Sequence, residues 1–111
     1  MRIYKILGAG EWSAALERGV FEGSQVDLQD GYIHFSTGAQ LAQTAAKWFR
    51  DRQDLVILEV EATDLADLRF EPARGGDLFP HLYGVLPARL VRAVHPAPLG
   101  ADGAPITGNL P

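Results

Sequence analysis

The segment 32–37, which reads Tyr-Ile-His-Phe-Ser-Thr, holds the residue types best suited to chemistry. Because side chains alternate along a β-strand, Tyr32, His34 and Ser36 share one face if the segment is extended. That face would combine a phenol, an imidazole and a hydroxyl, which can bind polar ligands or transfer protons. We interpret it as one wall of a candidate site. The alternative is a half-buried histidine whose partners are backbone groups.

A second segment, 79–84, is rich in aromatic and imidazole groups. It follows a pair of glycines, and we predict a loop over 73–80. Loops on a rigid scaffold often carry binding residues. We therefore select Phe79, His81 and Tyr83 as candidate ligand-binding residues whose rings could stack on a base, a nicotinamide or a sugar. A hydrophobic lid that covers the core is an equal alternative.

Glu71 is a candidate catalytic carboxylate on a short predicted strand that ends at a proline. Such a group can hold a ribose hydroxyl or stabilise a cationic transition state. Alternation also places Arg69 on the same strand face, so a simple ion pair is the alternative. Because the glycines after Glu71 allow the chain to fold back, we expect His34, Glu71 and His81 to lie in one concave site.

Metal and thiol chemistry receive little support from the sequence. The histidines His34, His81 and His95 lack the close spacing that is typical of metal ligands, so we predict no metal site from spacing. A site assembled in space stays open, and a metal-dependent enzyme that uses His34 and His81 is therefore one alternative. The chain has no cysteine, which excludes thiolate nucleophiles and iron–sulfur clusters.

Apolar periodicity and turn residues predict the element order β-α-β-α-β-β-β, which is typical of an α+β fold. We predict one domain over 1–95 and a loosely attached, Pro/Gly-rich C-terminal tail over 96–111. The region 20–30 shows no period and is predicted to be a loop. The predicted strands are 2–7, 31–36, 55–61, 69–71 and 88–95, and the predicted helices are 11–18 and 38–50. The residues expected in the core are Trp12, Leu16, Leu41, Trp48, Ile57 and Leu58.

Composition narrows the classes of partner. The net charge is −4, and the few basic residues are mixed with acidic ones, which disfavours binding to DNA. One or two cations are enough for a small phosphate-bearing ligand, so that class stays open. No apolar run is long enough to span a membrane, and the N-terminal region lacks the pattern of a signal peptide. We expect a cytoplasmic protein whose partner is a small molecule.

The two motifs Gly31–Thr37 and Leu78–Gly84, together with the N-terminal segments given below, resemble an uncharacterised, mostly bacterial family. This family is catalogued as domain of unknown function 952. The similarity covers nearly the whole chain to about His95. That family is grouped by remote similarity with the ADP-ribosyltransferase fold. The resemblance implies two small, mainly antiparallel sheets, two main helices and a cleft that accepts NAD. The segments that carry it are Ile3-Tyr4-Lys5-Ile6, Glu11-Trp12, Gly31-Tyr32-Ile33-His34-Phe35-Ser36-Thr37 and Leu78-Phe79-Pro80-His81-Leu82-Tyr83-Gly84.

The resemblance also implies roles for residues on the first two strands. The ligand-binding position of the first strand falls near Tyr4 and Lys5, although the family commonly has histidine where this chain has Lys5. The second-strand element of the fold corresponds to His34, Ser36 and Thr37. In this interpretation His34 and Ser36 hold the ribose.

Glu71 corresponds to the late glutamate of the fold, which would hold a ribose hydroxyl while the nicotinamide–ribose bond loosens. His81 or Tyr83 would cover the ring. The leading hypothesis is thus a domain that binds a small nucleotide-like ligand and carries out glycosyl-transfer chemistry on NAD or ADP-ribose. A noncatalytic binding or interaction module is the second hypothesis, and the metal-dependent enzyme is the third.

Overall fold

A computed structural model describes residues 1–73 and 75–111. In those ranges, helices alternate with short strands in the first half, and strands dominate the second half. The helices are α1 (Ala9–Arg18), α2 (Gln25–Asp30) and α3 (Gly38–Trp48). The strands are β1 (Arg2–Gly8), β2 (Val20–Phe21), β3 (Ile33–His34), β4 (Ser36–Thr37), β5 (Leu55–Glu61), β6 (Leu68–Pro72), β7 (Leu78–Leu82), β8 (Leu86–Pro87) and β9 (Val91–Pro96).

The larger sheet has the strand order β4-β1-β5-β9, with antiparallel pairing throughout. Its central strands are covered on both faces, because β1 alternates between two core clusters. Ile3 and Leu7 pack into the first cluster with Trp12 of α1. Tyr4 and Ile6 pack into the second cluster, which also holds residues of α3. Strand β5 is likewise covered on both faces, since Leu58 packs into the first cluster and Ile57 into the second.

A smaller sheet has the order β3-β7-β6, again antiparallel, and it positions the candidate site. In this sheet His81 lies on the central strand, β7. It pairs with His34 of β3 on one side and with Arg69 of β6 on the other. Glu71 of β6 pairs with Phe79 of β7, two residues along each strand from the pair Arg69 and His81. A pair of short strands, β2 and β8, forms a third sheet. The predicted α+β class and the small antiparallel sheets are confirmed.

Two predicted loops were partly wrong. The region 20–30 contains β2 and α2, which are too short to show a clear apolar period. The second predicted loop, 73–80, ends in strand β7, which begins at Leu78. The predicted strand 31–36 is divided at Phe35, whose N–H donates to the carbonyl of Pro80 over 2.9 Å.

Two predicted core residues are exposed, so this part of the prediction was wrong. Trp48 is 64% exposed because α3 ends there, and Phe49 packs against the core in its place. Leu16 is 54% exposed because the buried stripe of α1 consists of Trp12 and Ala15 alone. The other predicted core residues are buried.

The C-terminal segment packs against the domain, contrary to the predicted loose attachment. Ala97 is buried and Leu110 contacts the second core cluster. The hydroxyl of Tyr4 donates to the carbonyl of Pro111 over 2.7 Å. A buried phenol needs such a partner, which explains why the segment returns to this position. Among the described helices, none combines the length and apolarity that crossing a bilayer requires.

Candidate functional site

Four rings meet on one face of the smaller sheet, and we call this group (Tyr32, His34, His81 and Tyr83) the aromatic face. The ring of Tyr32 stacks on His81 with a centroid distance of 4.1 Å. It also contacts His34 at 4.6 Å and Tyr83 at 5.3 Å. The two imidazole rings are 5.6 Å apart, as the pairing of His34 with His81 requires. Residues far apart in sequence thus form one aromatic cluster, in which Tyr32 covers the buried ring of His81.

Glu71 borders the aromatic face and binds two of its members. Its Oε1 atom accepts from the Tyr83 hydroxyl over 2.6 Å and from His81 Nδ1 over 2.9 Å. The hydrogen bond from Tyr83 has the largest effect on the pKa of Glu71, and the bond from His81 the next largest. Both lower that pKa, so the carboxylate form is favoured. The bond to Glu71 raises the pKa of Tyr83. Because a carboxylate only accepts, Nδ1 of His81 carries its proton in this arrangement.

Asp27 lies beneath the aromatic face and binds it from the interior. It is 2% exposed, and its Oδ1 atom is 2.6 Å from His34 Nδ1. The ammonium of Lys5 is 2.8 Å from Oδ2. Burial by itself raises the pKa of Asp27, but the bond from His34 and the charge of Lys5 outweigh burial and hold that pKa at about 2. Asp27 is therefore a permanent negative charge at neutral pH.

The ring of His34 lies between two carboxylates. Its Nδ1 atom faces Asp27, and its Nε2 atom is 3.0 Å from Oδ2 of Asp30. Both carboxylates can only accept hydrogen bonds, so each ring nitrogen of His34 is placed where it can donate one. Nδ1 faces the buried Asp27, and Nε2 faces the exposed side chain of Asp30.

Lys5 reaches the site only through Asp27. Its side chain is buried, and burial lowers its pKa against the opposing effect of Asp27. Lys5 also lines an open cavity of about 410 Å³, together with Glu11, Gln29 and Arg52, and none of the four rings of the aromatic face lines that cavity. At the aromatic face, Lys5 contacts Asp27 and none of the rings, and its predicted ligand-binding role stays a prediction.

The structure brings together most of the predicted site residues. His34, Glu71, His81 and Tyr83 are in contact through the bonds and ring pairs described above. Phe79 lies on the same strand face by register, opposite Glu71. The proposed ion pair between Arg69 and Glu71 is replaced by a cation–π contact, because the guanidinium of Arg69 lies 5.0 Å from the ring centre of Tyr83.

Three predicted ligand-binding residues lie elsewhere. Tyr4 belongs to the second core cluster, on the opposite side of β1 from Lys5. Ser36 is buried, and its hydroxyl is 2.9 Å from that of Thr44. Thr37 precedes the first residue of α3, and its N–H donates to the side chain of Gln40. These positions have structural partners that explain their residue types without a ligand.

Sequence reasoning missed Asp27 and Asp30 because it placed both in a loop. One signal was present: Ser24 and Asp27 have the spacing of a helix-capping pair, which predicts a helix start at this point. In the structure the N–H of Ser24 donates to Oδ2 of Asp27 over 2.9 Å. Across residues 1–73 and 75–111, no group of three or more histidine, aspartate or glutamate side chains could hold a metal ion.

Comparison with known proteins gives a family and a set of similar structures. Residues 6–94 match the family described as "Protein of unknown function (DUF952)". A crystal structure of protein CC0527 from Caulobacter crescentus is 52% identical, with 97% of this chain and 96% of that chain covered and a TM-score of 0.94. The solution NMR structure of CC0527 is 53% identical, with 94% and 90% covered and a TM-score of 0.85. No curated protein matches the chain.

Proposed function

The chain belongs to the DUF952 family, and from this premise we propose that the aromatic face binds a small nucleotide-like ligand. The observation that carries the proposal is the stack of Tyr32 on His81, with His34 and Tyr83 beside it. Clustered rings on a sheet surface offer a platform for a flat base or a nicotinamide. Glu71 at the border supplies an acceptor for a sugar hydroxyl.

The chemistry that fits these groups best is glycosyl transfer from NAD or ADP-ribose, on an ADP-ribosyltransferase-like fold. Glu71 would accept a hydrogen bond from a ribose hydroxyl, and its negative charge would stabilise the cationic sugar that forms when the glycosidic bond loosens. The ring of His34, which contacts Tyr32, would direct its Nε2 atom to the phosphates. This assignment keeps Glu71 and His34 as the catalytic pair.

A noncatalytic binding module is the second candidate, and one observation favours it. Oε1 of Glu71 already accepts bonds from both Tyr83 and His81. A ligand hydroxyl would have to use the other oxygen or displace one of these donors. An occupied carboxylate of this kind suits a residue that shapes a binding surface and takes no part in bond cleavage.

Calorimetric titration with NAD, ADP-ribose and adenosine monophosphate tests the binding proposal. We expect saturable binding to the wild-type protein, and affinity at least about tenfold weaker in Tyr32→Leu, since stacking on one aromatic ring contributes roughly 1–3 kcal/mol. The matched control is Phe70→Ala, because Phe70 lies on the opposite face of β6 and is also partly exposed. Equal affinity in Tyr32→Leu and wild type, or no binding of any of the three, would contradict the proposal.

Turnover separates the two candidates. If the domain is catalytic, Glu71→Gln should abolish NAD consumption. The control is Glu59→Gln, because Glu59 also pairs with a histidine, His95, over 2.8 Å in the larger sheet. Binding without NAD consumption in the wild-type protein would support the noncatalytic module and refute the glycosyl-transfer assignment.

A further inference from the structure

We propose that Asp27 is the positioning residue of the aromatic face, and that it holds His34 as a donor to an anionic oxygen of the ligand, such as a nucleotide phosphate. The inference rests on the proposed function of that face and assigns it a ligand class. Asp27 is buried and makes several separate hydrogen bonds to the segment that carries Tyr32 and His34.

Both the side chain and the backbone of Asp27 hold this segment. Its carbonyl accepts from the N–H groups of Gly31 and Tyr32, over 2.9 and 3.2 Å. Its Oδ1 atom accepts from the backbone N–H of His34 over 3.1 Å and from the ring Nδ1 over 2.6 Å. Backbone position and ring orientation of His34 are therefore fixed by the same residue.

The second partner of Asp27 makes this arrangement rigid. The ammonium of Lys5 donates to Oδ1 over 3.0 Å and lies 2.8 Å from Oδ2, and both residues are almost fully buried. A buried ion pair with Lys5 would be complete without a histidine. Oδ1 of Asp27 instead contacts both Lys5 and His34, so His34 is bonded to a carboxylate that is itself buried and paired.

This fixed orientation leaves one proton of His34 available. Because Nδ1–H is used by Asp27, the Nε2–H group is directed to the surface, where Asp30 accepts it. Asp30 has an exposed side chain and is a replaceable partner. An oxygen of a bound phosphate could take its place and receive a charge-assisted hydrogen bond beside the stacked base.

Nitrogen-15 NMR of the histidine rings tests the positioning role without any ligand. Asp27→Asn alone would leave a buried ammonium unpaired and could unfold the protein, so we use Lys5→Met and the double variant Lys5→Met/Asp27→Asn. Both ring nitrogens of His34 should give the signals of hydrogen-bond donors in the wild-type protein and in Lys5→Met, because each faces a carboxylate oxygen. The double variant should show the mixed signals of a neutral ring, while the His95 signals should stay unchanged.

Two results of this measurement would overturn the positioning role. One is a double variant that folds and keeps the wild-type signals of His34. The other is a Lys5→Met variant whose His34 signals change as much as those of the double variant. Backbone amide spectra of each protein establish whether it is folded, and a double variant that fails to fold is replaced by Lys5→Leu/Asp27→Leu, whose apolar pair avoids buried unpaired charge.

The ligand class is tested with adenosine monophosphate and adenosine. Loss of Asp27 in the Lys5→Met/Asp27→Asn protein should weaken binding of the phosphate-bearing ligand about tenfold, the loss expected for one charge-assisted hydrogen bond. Adenosine affinity should change much less. Equal weakening for the two ligands would refute the phosphate assignment. If neither ligand binds the wild-type protein, the proposed function fails, while the ring-nitrogen signals still decide whether Asp27 positions His34.

Discussion

Acid should weaken the fold through Asp27 in a way that can be measured separately from the other carboxylates. The pKa of Asp27 is about 2 in the folded protein, against an ordinary value of 3.8. A lowered folded pKa means that the unfolded chain binds the proton more tightly. The stabilisation is therefore complete above the unfolded value and is lost as the pH falls toward the folded value.

The size of the effect follows from the two pKa values. One pKa unit corresponds to about 1.4 kcal/mol, so the ionised Asp27 contributes about 2 kcal/mol to the free energy of unfolding at neutral pH. Nearly all of this should disappear between about pH 5 and about pH 2. That range lies below the ordinary titration of histidine, so the acidic groups dominate the change.

Urea unfolding of the wild-type protein and of Lys5→Met/Asp27→Asn across this pH range is the assay. Carboxylates that the two proteins share contribute to both curves, so their effects largely cancel in the difference. As the pH falls, we expect the wild-type protein to lose about 2 kcal/mol more of its unfolding free energy than the double variant loses. A difference that stays constant would mean that Asp27 is not an ionised carboxylate with a lowered pKa, and the electrostatic account of the site would be wrong.

Three further predictions concern the core, the site and the C-terminal segment. Trp48→Ala should cost under about 1 kcal/mol, and Trp12→Ala about 3–5 kcal/mol, because only Trp12 is buried; equal losses in denaturant melts would contradict the packing. Glu71→Gln should lower the pKa of Tyr83, followed by phenolate absorbance, because the bond that raises this pKa loses its charge; an unchanged titration would exclude that bond. Tyr4→Phe should cost about 1 kcal/mol by removing the hydrogen bond to the C-terminal segment, and an unchanged melting temperature would show that the bond is absent in solution.

The meeting of His34 with His81 was predicted because the glycines after Glu71 allow the chain to fold back toward the strand of His34. Alternation assigned His34 to a polar strand face, and Phe79, His81 and Tyr83 alternate in the same way. The segment 73–80 was nevertheless predicted to be a loop, because Pro80 and the preceding glycines are typical of turns. Pro80 is accommodated in β7 since its carbonyl still accepts a hydrogen bond, from Phe35.

Asp27 could not be found from periodicity. Helix α2 has six residues, which is less than two turns, so no apolar stripe is established before it ends. Its buried position depends on Lys5, which lies on a strand 22 residues away. The local signal at this position, the capping spacing of Ser24 and Asp27, predicts the start of a helix but not the burial of a carboxylate. The position of the C-terminal segment likewise depends on Tyr4 and was not predicted.

The site consists of two carboxylate-centred groups that differ in exposure, and this difference decides what each can do. Asp27 is 2% exposed, and its carboxylate accepts hydrogen bonds from Lys5, Ser24 and His34. The side chain of Glu71 is 32% exposed at the border of the aromatic face. A ligand can therefore contact Glu71 directly but can sense Asp27 only through His34. The two groups meet where the imidazoles of His34 and His81 are 5.6 Å apart. Changes at Glu71 should consequently alter ligand binding while the fold persists, whereas changes at Asp27 should alter stability and ring orientation together.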